Sequence, residues 1–258
     1  MTKKILIVGI SGRMGEIIYS RLSDESSFEC SAGYDVKKPG FETGIPVSSN
    51  IEELIGSCDL LVDFSQPQAT MSVIDECVDN KKGMVIGTTG YTDEETARLK
   101  SASQSIPILL SYNMSPGISM MKRLVGQMAG FMRDSYDIEI VEKHHKMKKD
   151  APSGTAYMLG EEAAKQRNRD LPSSANFGRK GESKRKNGEI TFHSLRGGSV
   201  IGEHDVYFIG SHDQITISHT AFDRAAFTEG VVLALKFIQD KKQGWFSMDD
   251  VIGTAHGL

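Results

Sequence analysis

The sequence predicts an α/β fold in two parts, a doubly wound parallel sheet followed by a second α+β domain with a mixed or antiparallel sheet. Two observations predict the first part: short apolar runs recur along residues 3–110, and segments with helical periodicity lie between them. The third observation is a change to a period of two from residue 189 onward. A change of pattern within 258 residues indicates two domains.

The first predicted strand, Lys3–Val8, is nearly all apolar, as expected for a strand buried on both faces. It leads into a glycine turn, Gly9–Gly15, followed by a predicted helix and a second strand, Phe28–Tyr34, which ends at Asp35. This order is the fingerprint of a Rossmann-like dinucleotide site. The turn departs from strict Gly-x-Gly-x-x-Gly because Ile10 stands where a glycine is expected. Such glycines also occur in plain tight turns, but the flanking elements favour a pyrophosphate on the helix N-terminus.

The residues around Asp35 bear on the choice of cofactor. Asp35 can accept hydrogen bonds from a ribose diol, which favours NADH. Lys37, Lys38 and Arg13 could hold the 2′-phosphate of NADPH, or the two lysines could simply face water. We therefore predict that both NADH and NADPH are used, with NADH at least as good.

Strands and helices continue to alternate up to residue 110. The predicted elements are a short helix over Ile51–Ile55 capped by Asn50, a strand over Leu60–Phe64, a helix over Gln68–Val78, a strand over Met84–Ile86, a helix opened by the capping box of Thr92 and Glu95, and a strand over Ile106–Leu110. In a parallel sheet wound on both faces, ligands bind beyond the carboxyl ends of the strands. Three turns fall at these ends and, with Asp35, outline one crevice: Gly9–Gly15, Gly87–Thr89 and Ser111–Met114.

The stretch Glu142–Ala156 concentrates groups that can do chemistry, between a strand predicted over Tyr136–Val141 and a helix predicted over Tyr157–Gln166. It holds His144, His145, Lys146, Lys148 and Lys149, and it ends in the turn Ser153-Gly154-Thr155 at the start of the helix. Free N–H groups at a helix start bind anions. A proton donor beside cations and an anion site suits an acidic substrate that is protonated during the reaction. The alternative is a solvated basic loop with no ligand.

The second part begins with a helix predicted over Gly117–Met132, which Ser115 and Pro116 open. The charged stretch 168–187 lacks periodicity and predicts a mobile loop, which either closes over an anionic ligand or only faces water. The remaining predicted elements are the strands Glu189–Leu195, Val200–Ile209 and Gln214–Thr220 and the helix Arg224–Gln239. We predict two domains, residues 1–114 with 225–258 and residues 115–224, and expect the ligand site in the cleft between them.

Composition excludes several classes of function. The net charge of −4 argues against a nucleic-acid partner. The cysteines, Cys30, Cys58 and Cys77, are odd in number without a C-x-x-C pair, which argues against a disulfide framework or a zinc site and fits a reducing compartment. We expect no metal, since the histidines of the second part are irregularly spaced. No apolar run is long enough for a membrane span, and the chain enters a strand at once, which leaves no room for a signal peptide, so we predict a cytoplasmic protein.

Taken together, these stretches resemble the dihydrodipicolinate reductase family along nearly the whole chain. The resemblance rests on the glycine turn ending in Gly12-Arg-Met-Gly15, Asp63-Phe64-Ser65, Gly87-Thr-Thr-Gly90, Glu142-x-His-His-x-x-x-Lys148-x-Asp-Ala-Pro-Ser-Gly-Thr155, Arg196-Gly-Gly198, Gly202-Glu-His204 and Arg224. The central stretch is highly specific, whereas the glycine turn is not. The chain departs from the family at Met114 and Pro116, which bears on how the nicotinamide packs.

The resemblance implies reduction of a cyclic, conjugated dicarboxylic imine with NADH or NADPH in the diaminopimelate route to lysine. It implies a homotetramer built through the sheet of residues 115–224, which would then be the substrate-binding and oligomerisation domain, with residues 1–114 and 225–258 as the dinucleotide-binding domain. His144 resembles the catalytic histidine and Lys148 the catalytic lysine, which gives either a proton or only its charge. The substrate contacts implied are His145, Gly154 and Thr155, and the cofactor contacts are Gly9, Ile10, Ser11, Gly12, Arg13, Met14, Asp35, Gly87, Thr88, Thr89, Ser111, Tyr112, Asn113 and Met114.

Two other interpretations remain. A related nicotinamide oxidoreductase, acting on another acidic amino-acid precursor such as a semialdehyde, would share Asp35 and the glycine turn without needing His144 and Lys148. A dinucleotide-sensing regulator would bind NADH without consuming it when the cyclic substrate is supplied.

Overall fold

The computed structural model describes residues 2–256, with side chains up to residue 253. The chain divides into two compact units, unit 1 comprising Met1–Pro116 and Arg224–Leu258, and unit 2 comprising Gly117–Asp223. Its strands are β1 Lys3–Val8, β2 Phe28–Tyr34, β3 Val47–Ser48, β4 Leu60–Asp63, β5 Gly83–Ile86, β6 Pro107–Leu110, β7 Asp137–His144, β8 Ala175–Asn176, β9 Ile190–Arg196, β10 Gly202–Ile209, β11 Gln214–Ala221 and β12 Gly244–Phe246.

The α-helices are α1 Arg13–Ser23, α2 Pro67–Asp79, α3 Asp93–Ala102, α4 Pro116–Met132, α5 Gly154–Gln166, α6 Leu171–Ser174, α7 Ala226–Ile238 and α8 Met248–His256. Among the residues described, no helix is both long and apolar enough to cross a membrane. The described side chains also contain no cluster of three or more potential metal ligands.

Unit 1 is built on a seven-stranded parallel sheet in the order β12-β6-β5-β4-β1-β2-β3. Successive residues of β1 point to opposite faces, so Ile5 and Ile7 join one core and Leu6 and Val8 another. The first core is shared with α1, α7 and α8, and the second with α2 and α3. The sheet is therefore covered on both faces, which confirms the predicted doubly wound architecture.

Unit 2 is built on a five-stranded mixed sheet in the order β11-β10-β7-β9-β8. The central strand β7 pairs antiparallel with β10 and parallel with β9. Ile138, Ile140, Phe192, Val206 and Phe208 of this sheet form one core with α4 and α5. At Gly160 of α5, a Cβ would lie 2.4 Å from the Phe192 ring, so a glycine is needed for the helix to pack on the sheet. The predicted α+β second part with a mixed sheet is confirmed.

The stretch 168–187 is more ordered than its sequence predicts. The prediction of an irregular loop is wrong for residues 171–176, which form α6 and β8. Farther along, Arg179 and Arg185 both form ion pairs with Glu139, and Arg179 also pairs with Glu189. Hydrophobic periodicity cannot reveal such a segment, because charged contacts with the strands hold it and no apolar stripe does.

Candidate active site

The glycine turn folds tightly onto the start of α1. Gly9 follows β1 with φ +83°, and a Cβ on it would lie 2.9 Å from the Phe64 carbonyl oxygen. Gly15 lies in the first turn of α1, where a Cβ would lie 2.3 Å from the carbonyl oxygen of Gly9. Both close approaches exclude side chains, so the turn leaves its backbone and the N-terminus of α1 open to a phosphate group.

A cleft of about 670 Å³ adjoins this turn within unit 1. It is lined by Gly9, Ser11, Gly12, Tyr34, Asp35, Val36, Lys37, Phe64, Ser65, Gln66, Gln68, Ala69 and Ser72. The predicted cofactor residues on the glycine turn and Asp35 are thus brought together. The wall formed by residues 64–72 was not predicted as a cofactor contact, although its position directly after β4 could have indicated it.

Asp35 is held in place by two backbone amides. Its Oδ2 accepts a hydrogen bond from the Ser11 N–H at 3.0 Å, and its Oδ1 accepts one from the Lys37 N–H at 3.0 Å. Because a carboxylate has about four acceptor positions, Asp35 can still accept from a ribose. The turn, the cleft and this acid therefore fit a dinucleotide.

Asp63, at the end of β4, organises the floor beside the cleft. It is fully buried, and its carboxylate accepts hydrogen bonds from the Ser65 N–H and from the hydroxyls of Ser65, Thr70 and Thr88, at 2.5–3.0 Å. Burial raises the pKa of Asp63, and these hydrogen bonds oppose the rise. The hydroxyl of Thr88 faces Asp63, so the predicted cofactor contact of Thr88 is left to its backbone. Asp63 thereby joins the turn after β4 to the turn after β5.

Replacing Asp63 with asparagine is expected to destabilise the protein by about 1–3 kcal/mol, because an amide NH₂ cannot accept from the hydroxyl groups that point at it. The loosened turns should also weaken NADH binding. Urea denaturation and an NADH fluorescence titration measure the two effects. Asp79→Asn, at an exposed site on α2, is the matched control and should behave as the wild type. An Asp63 variant with unchanged NADH affinity would show that Asp63 does not position the cleft.

A second cleft in unit 1, of about 260 Å³, holds the residues after β6. It is lined by Arg13, Met14, Phe64, Ser111, Tyr112, Asn113, Met114, Arg224 and Phe227. The Ser111 hydroxyl donates to the Asn113 carbonyl at 2.7 Å, and the Asn113 side chain accepts from the Ser115 N–H at 2.9 Å. Met114 is 1% exposed and packs in the core of unit 1, so its departure from the family pattern is chiefly a packing change. The sequence did not predict that Phe227, which lies in the predicted helix Arg224–Gln239, would line this cleft.

In unit 2, His144 and Glu142 lie on the buried face of β7. The sequence predicted that the strand ends at Val141, and this is wrong, because β7 continues through His144. The Nδ1 atom of His144 lies 2.6 Å from Oε2 of Glu142, and the residue is only 8% exposed. Burial lowers the pKa of His144, and the neighbouring carboxylate partly offsets this. His144 is therefore a fixed imidazole and not part of a solvated loop.

Glu142 receives two further partners that the sequence reasoning missed. Arg196, at the end of β9, donates Nη1 to Oε2 at 2.7 Å and Nη2 to Oε1 at 2.6 Å, and the Ser153 N–H donates to Oε1 at 3.1 Å. Burial disfavours the charged form of Glu142, but the hydrogen bonds from Arg196 and His144 outweigh it and lower its pKa to about 2. Glu142 is thus a permanent anion at neutral pH.

His204 of β10 links the imidazole of His144 to the start of α5. The two rings meet edge to face with centroids 5.2 Å apart, and Nε2 of His204 lies 3.1 Å from the Ser153 hydroxyl. That hydroxyl caps α5 by accepting from the Ala156 N–H at 3.2 Å. Burial lowers the pKa of His204 to about 3, so it is neutral at physiological pH. His204 therefore packs against His144 and forms a hydrogen bond with Ser153, but it adds no charge.

The other predicted substrate residues lie in the same unit. Lys148 forms an ion pair with Asp150 at 2.9 Å, and its N–H donates to the His145 carbonyl at 3.1 Å. Gly154 is exposed and begins α5, with Ser153 as its N-cap, and Thr155 is half-buried beside it. The N-terminus of a 13-residue helix is thus available to an anionic group, and Lys148, paired with Asp150, lies in the segment before it.

The pKa of Glu142 predicts how acid affects stability. A carboxyl group whose pKa falls from 4.5 to about 2 on folding stabilises the protein above about pH 4.5, and this contribution is lost as the pH falls toward 2. Between pH 7 and pH 3 the wild type should therefore lose about 2 kcal/mol more stability than Glu142→Gln, which cannot titrate. Urea denaturation at both pH values measures the difference. Equal losses would mean that Glu142 is not stabilised as an anion.

Comparison with known proteins decides the family. The family described as "Dihydrodipicolinate reductase, N-terminus" matches residues 3–114, and "Dihydrodipicolinate reductase, C-terminus" matches residues 117–252. The chain belongs to the dihydrodipicolinate reductase family. This family uses NADH or NADPH, and its members are oxidoreductases.

Relatives of this dihydrodipicolinate reductase family member are similar over nearly their whole length. The 4-hydroxy-tetrahydrodipicolinate reductase of Geotalea uraniireducens is 38% identical, with 97% of this chain and 98% of that protein covered. The reductase of the same name from Caldanaerobacter subterraneus subsp. tengcongensis is 40% identical, with 98% and 99% covered. The solved structure of dipicolinate-bound dihydrodipicolinate reductase from Paenisporosarcina sp. TG-14 has a TM-score of 0.81 at 26% identity and covers 97% of this chain and 99% of that one.

More distant dehydrogenases share only the fold. A myo-inositol dehydrogenase from Corynebacterium glutamicum has a TM-score of 0.59 at 13% identity, with 95% of this chain and 90% of that one covered. Such a likeness carries no argument about substrate. The alternative of a different nicotinamide oxidoreductase therefore gains no support beyond the shared fold.

Proposed function

We propose that this chain is an NAD(P)H-dependent 4-hydroxy-tetrahydrodipicolinate reductase of the diaminopimelate route to lysine. The observation that carries the proposal is the buried His144 imidazole, held through Nδ1 by Glu142 in the same unit as Lys148 and the start of α5. In a chain of this family, that arrangement provides a proton donor and an anion site for an acidic ring. The dipicolinate bound to the similar Paenisporosarcina enzyme is itself a cyclic dicarboxylate, which supports a substrate of that class.

Unit 1 is the proposed dinucleotide-binding domain, assigned from the sequence as residues 1–114 and 225–258. When bound, NADH or NADPH supplies the hydride. The glycine turn and the N-terminus of α1 hold its pyrophosphate and Asp35 holds its ribose, while the turns after β5 and β6 supply further contacts. The residues assigned are Gly9, Ile10, Ser11, Gly12, Arg13, Met14, Asp35, Gly87, Thr88, Thr89, Ser111, Tyr112, Asn113 and Met114.

Both cofactors are expected to support turnover, with NADH at least as good as NADPH. Asp35 accepts from a free ribose 2′-hydroxyl, whereas Lys37, Lys38 and Arg13 offer positive charge to a 2′-phosphate. Steady-state kcat/KM for each cofactor measures the preference. A preference for NADPH above about a hundredfold would show that the role of Asp35 is misassigned, since that corresponds to about 2.7 kcal/mol against the ribose contact.

Unit 2 is the proposed substrate-binding and oligomerisation domain, assigned from the sequence as residues 115–224. The N–H groups of Gly154 and Thr155, with His145, hold the carboxylates of the substrate. His144 gives a proton from Nε2, because Nδ1 is bound to Glu142. Lys148 stabilises the developing negative charge or gives a second proton.

The decisive experiment mixes the protein and NADH with the freshly generated condensation product of pyruvate and aspartate semialdehyde. Loss of NADH absorbance that requires both the protein and this product is expected. Binding of NADH without its consumption would contradict the proposal and would favour a dinucleotide-sensing regulator. Reaction with an acyclic semialdehyde alone would favour another oxidoreductase.

The proposed assembly is a homotetramer built through the sheet of unit 2, and the proposed compartment is the cytoplasm. The assembly follows from the family resemblance. The compartment follows from the cysteine usage, since Cys30, Cys58 and Cys77 are free. Light scattering is expected to give the mass of four chains of 28.3 kDa each. A monomeric mass at micromolar concentration would contradict the proposed assembly.

A further inference from the structure

The carboxylate of Glu142 is the meeting point of three segments. His144 and Arg196 share Oε2, and Arg196 and the Ser153 N–H share Oε1, all within 2.6–3.1 Å. Arg196 also donates Nη2 to the Asp150 carbonyl at 2.6 Å, and the Gly197 N–H donates to the His144 carbonyl at 3.0 Å. The end of β7, the end of β9 and the start of α5 are therefore tied to one buried anion.

We infer that Arg196 and Glu142 are a positioning pair for His144. The pair holds the imidazole with Nε2 as the reacting nitrogen, and the positive charge of Arg196 balances the negative charge of Glu142 beside the ring. The inference rests on the proposed function, in which His144 gives the proton. Arg196 does not act on the substrate in this account. It fixes the carboxylate of Glu142, and that carboxylate fixes the imidazole of His144.

The geometry leaves the carboxylate little freedom. Four hydrogen bonds fill its acceptor positions, and the two from Arg196 are the parallel pair that a planar guanidinium makes with a carboxylate. The ring of His144 therefore cannot turn over without breaking the bond at Nδ1. On its other side, a Cβ on Gly202 would lie 3.1 Å from Nε2, so the glycine keeps that nitrogen unobstructed.

The charges around His144 come from each element packed against it. Glu142 on β7 is negative, Arg196 from β9 is positive, His204 on β10 is neutral, and Lys148 in the following loop is positive but paired with Asp150. Removing the charge of Arg196 leaves the anion of Glu142 unbalanced, which favours the imidazolium. Removing the charge of Glu142 leaves the positive charge of Arg196 unbalanced, which favours the neutral imidazole.

The test therefore compares two variants that should act in opposite directions, Arg196→Gln and Glu142→Gln. The pKa of the His144 imidazole is measured by NMR titration of histidine-labelled protein, and the pH profile of kcat is measured alongside it. We expect Arg196→Gln to raise that pKa and Glu142→Gln to lower it, each by about one unit. The corresponding limb of the kcat profile should move with it. Lys180→Gln removes one exposed positive charge from unit 2 and should leave both unchanged.

A role that is only structural would lower kcat without these opposed shifts, so shifts in the same direction, or none, would overturn the inference. If Arg196→Gln does not fold, Arg196→Lys replaces it, since a retained charge should leave the pKa of His144 near that of the wild type while Glu142→Gln lowers it. A pKa that does not fall in Glu142→Gln overturns the inference. The NMR titration needs no turnover, so opposed pKa shifts with an unmoved kcat profile would show that the pair sets the charge state of His144 and would refute His144 as the proton donor.

Discussion

Replacing His144 with glutamine is expected to lower kcat by about 10²–10⁴-fold, the range typical for loss of a general acid, with NADH affinity unchanged. Glutamine can still donate to Glu142, so the buried anion keeps a partner at the former position of Nδ1. It cannot give a proton to the substrate at any pH in the working range. The cofactor residues lie in unit 1, and the substitution changes none of them.

The experiment measures kcat with saturating substrate and titrates NADH by fluorescence in the same preparation. His212→Gln, at an exposed position in unit 2, is the matched control and should retain wild-type turnover. Near-normal turnover of the His144 variant would refute the assignment of the proton donor. A parallel loss of NADH binding would instead point to a disturbed fold.

Gly15→Ala is expected to weaken NADH binding by at least about tenfold and to destabilise the protein by about 1–3 kcal/mol. The added methyl group would lie 2.3 Å from the Gly9 carbonyl oxygen and 2.6 Å from Cα of Ile10. Both are backbone atoms, so the clash cannot be relieved by rotating a side chain. The start of α1 must move away from the turn, and the proposed pyrophosphate site moves with it.

Fluorescence titration with NADH and thermal unfolding measure the two effects. Gly56→Ala is the control, because a Cβ there would meet nothing within 4 Å and the residue is exposed in the same unit. Wild-type NADH affinity in the Gly15 variant would show that the cofactor does not bind at this turn. Equal changes in NADH affinity and stability in the Gly15 and Gly56 variants would show that the close contact at Gly15 is not their cause.

Local patterns predicted much of unit 1 because each decisive feature lies within a few residues. The run from Lys3–Val8 through the glycine turn to Asp35 is one βαβ unit, and its strands are confirmed at the predicted bounds. The capping box of Thr92 and Glu95 is confirmed in the same way. The strand β12 was missed, since three residues containing a glycine give no periodicity to detect.

The candidate site in unit 2 was predicted only in part, because its framework joins residues that are far apart in sequence. His144 and Lys148 could be predicted as site residues because they lie in one short stretch rich in histidine and lysine. Arg196 lies 54 residues from Glu142, and its role depends on the pairing of β7 with β9, which no local pattern reveals. His204 lies on β10, 51 residues after Ser153, and their contact likewise depends on how the sheet packs against the start of α5.

The discontinuity of unit 1 has a consequence for how the chain is made. Synthesis delivers all of Gly117–Asp223 before Arg224–Leu258, so a nascent chain that ends at residue 223 contains unit 2 complete but lacks α7. Val231, Leu235 and Ile238 of that helix are buried in the core on one face of the parallel sheet. Until these side chains emerge from the ribosome, this face of the sheet lacks the helix that covers it, and exposed apolar surface of this kind favours aggregation.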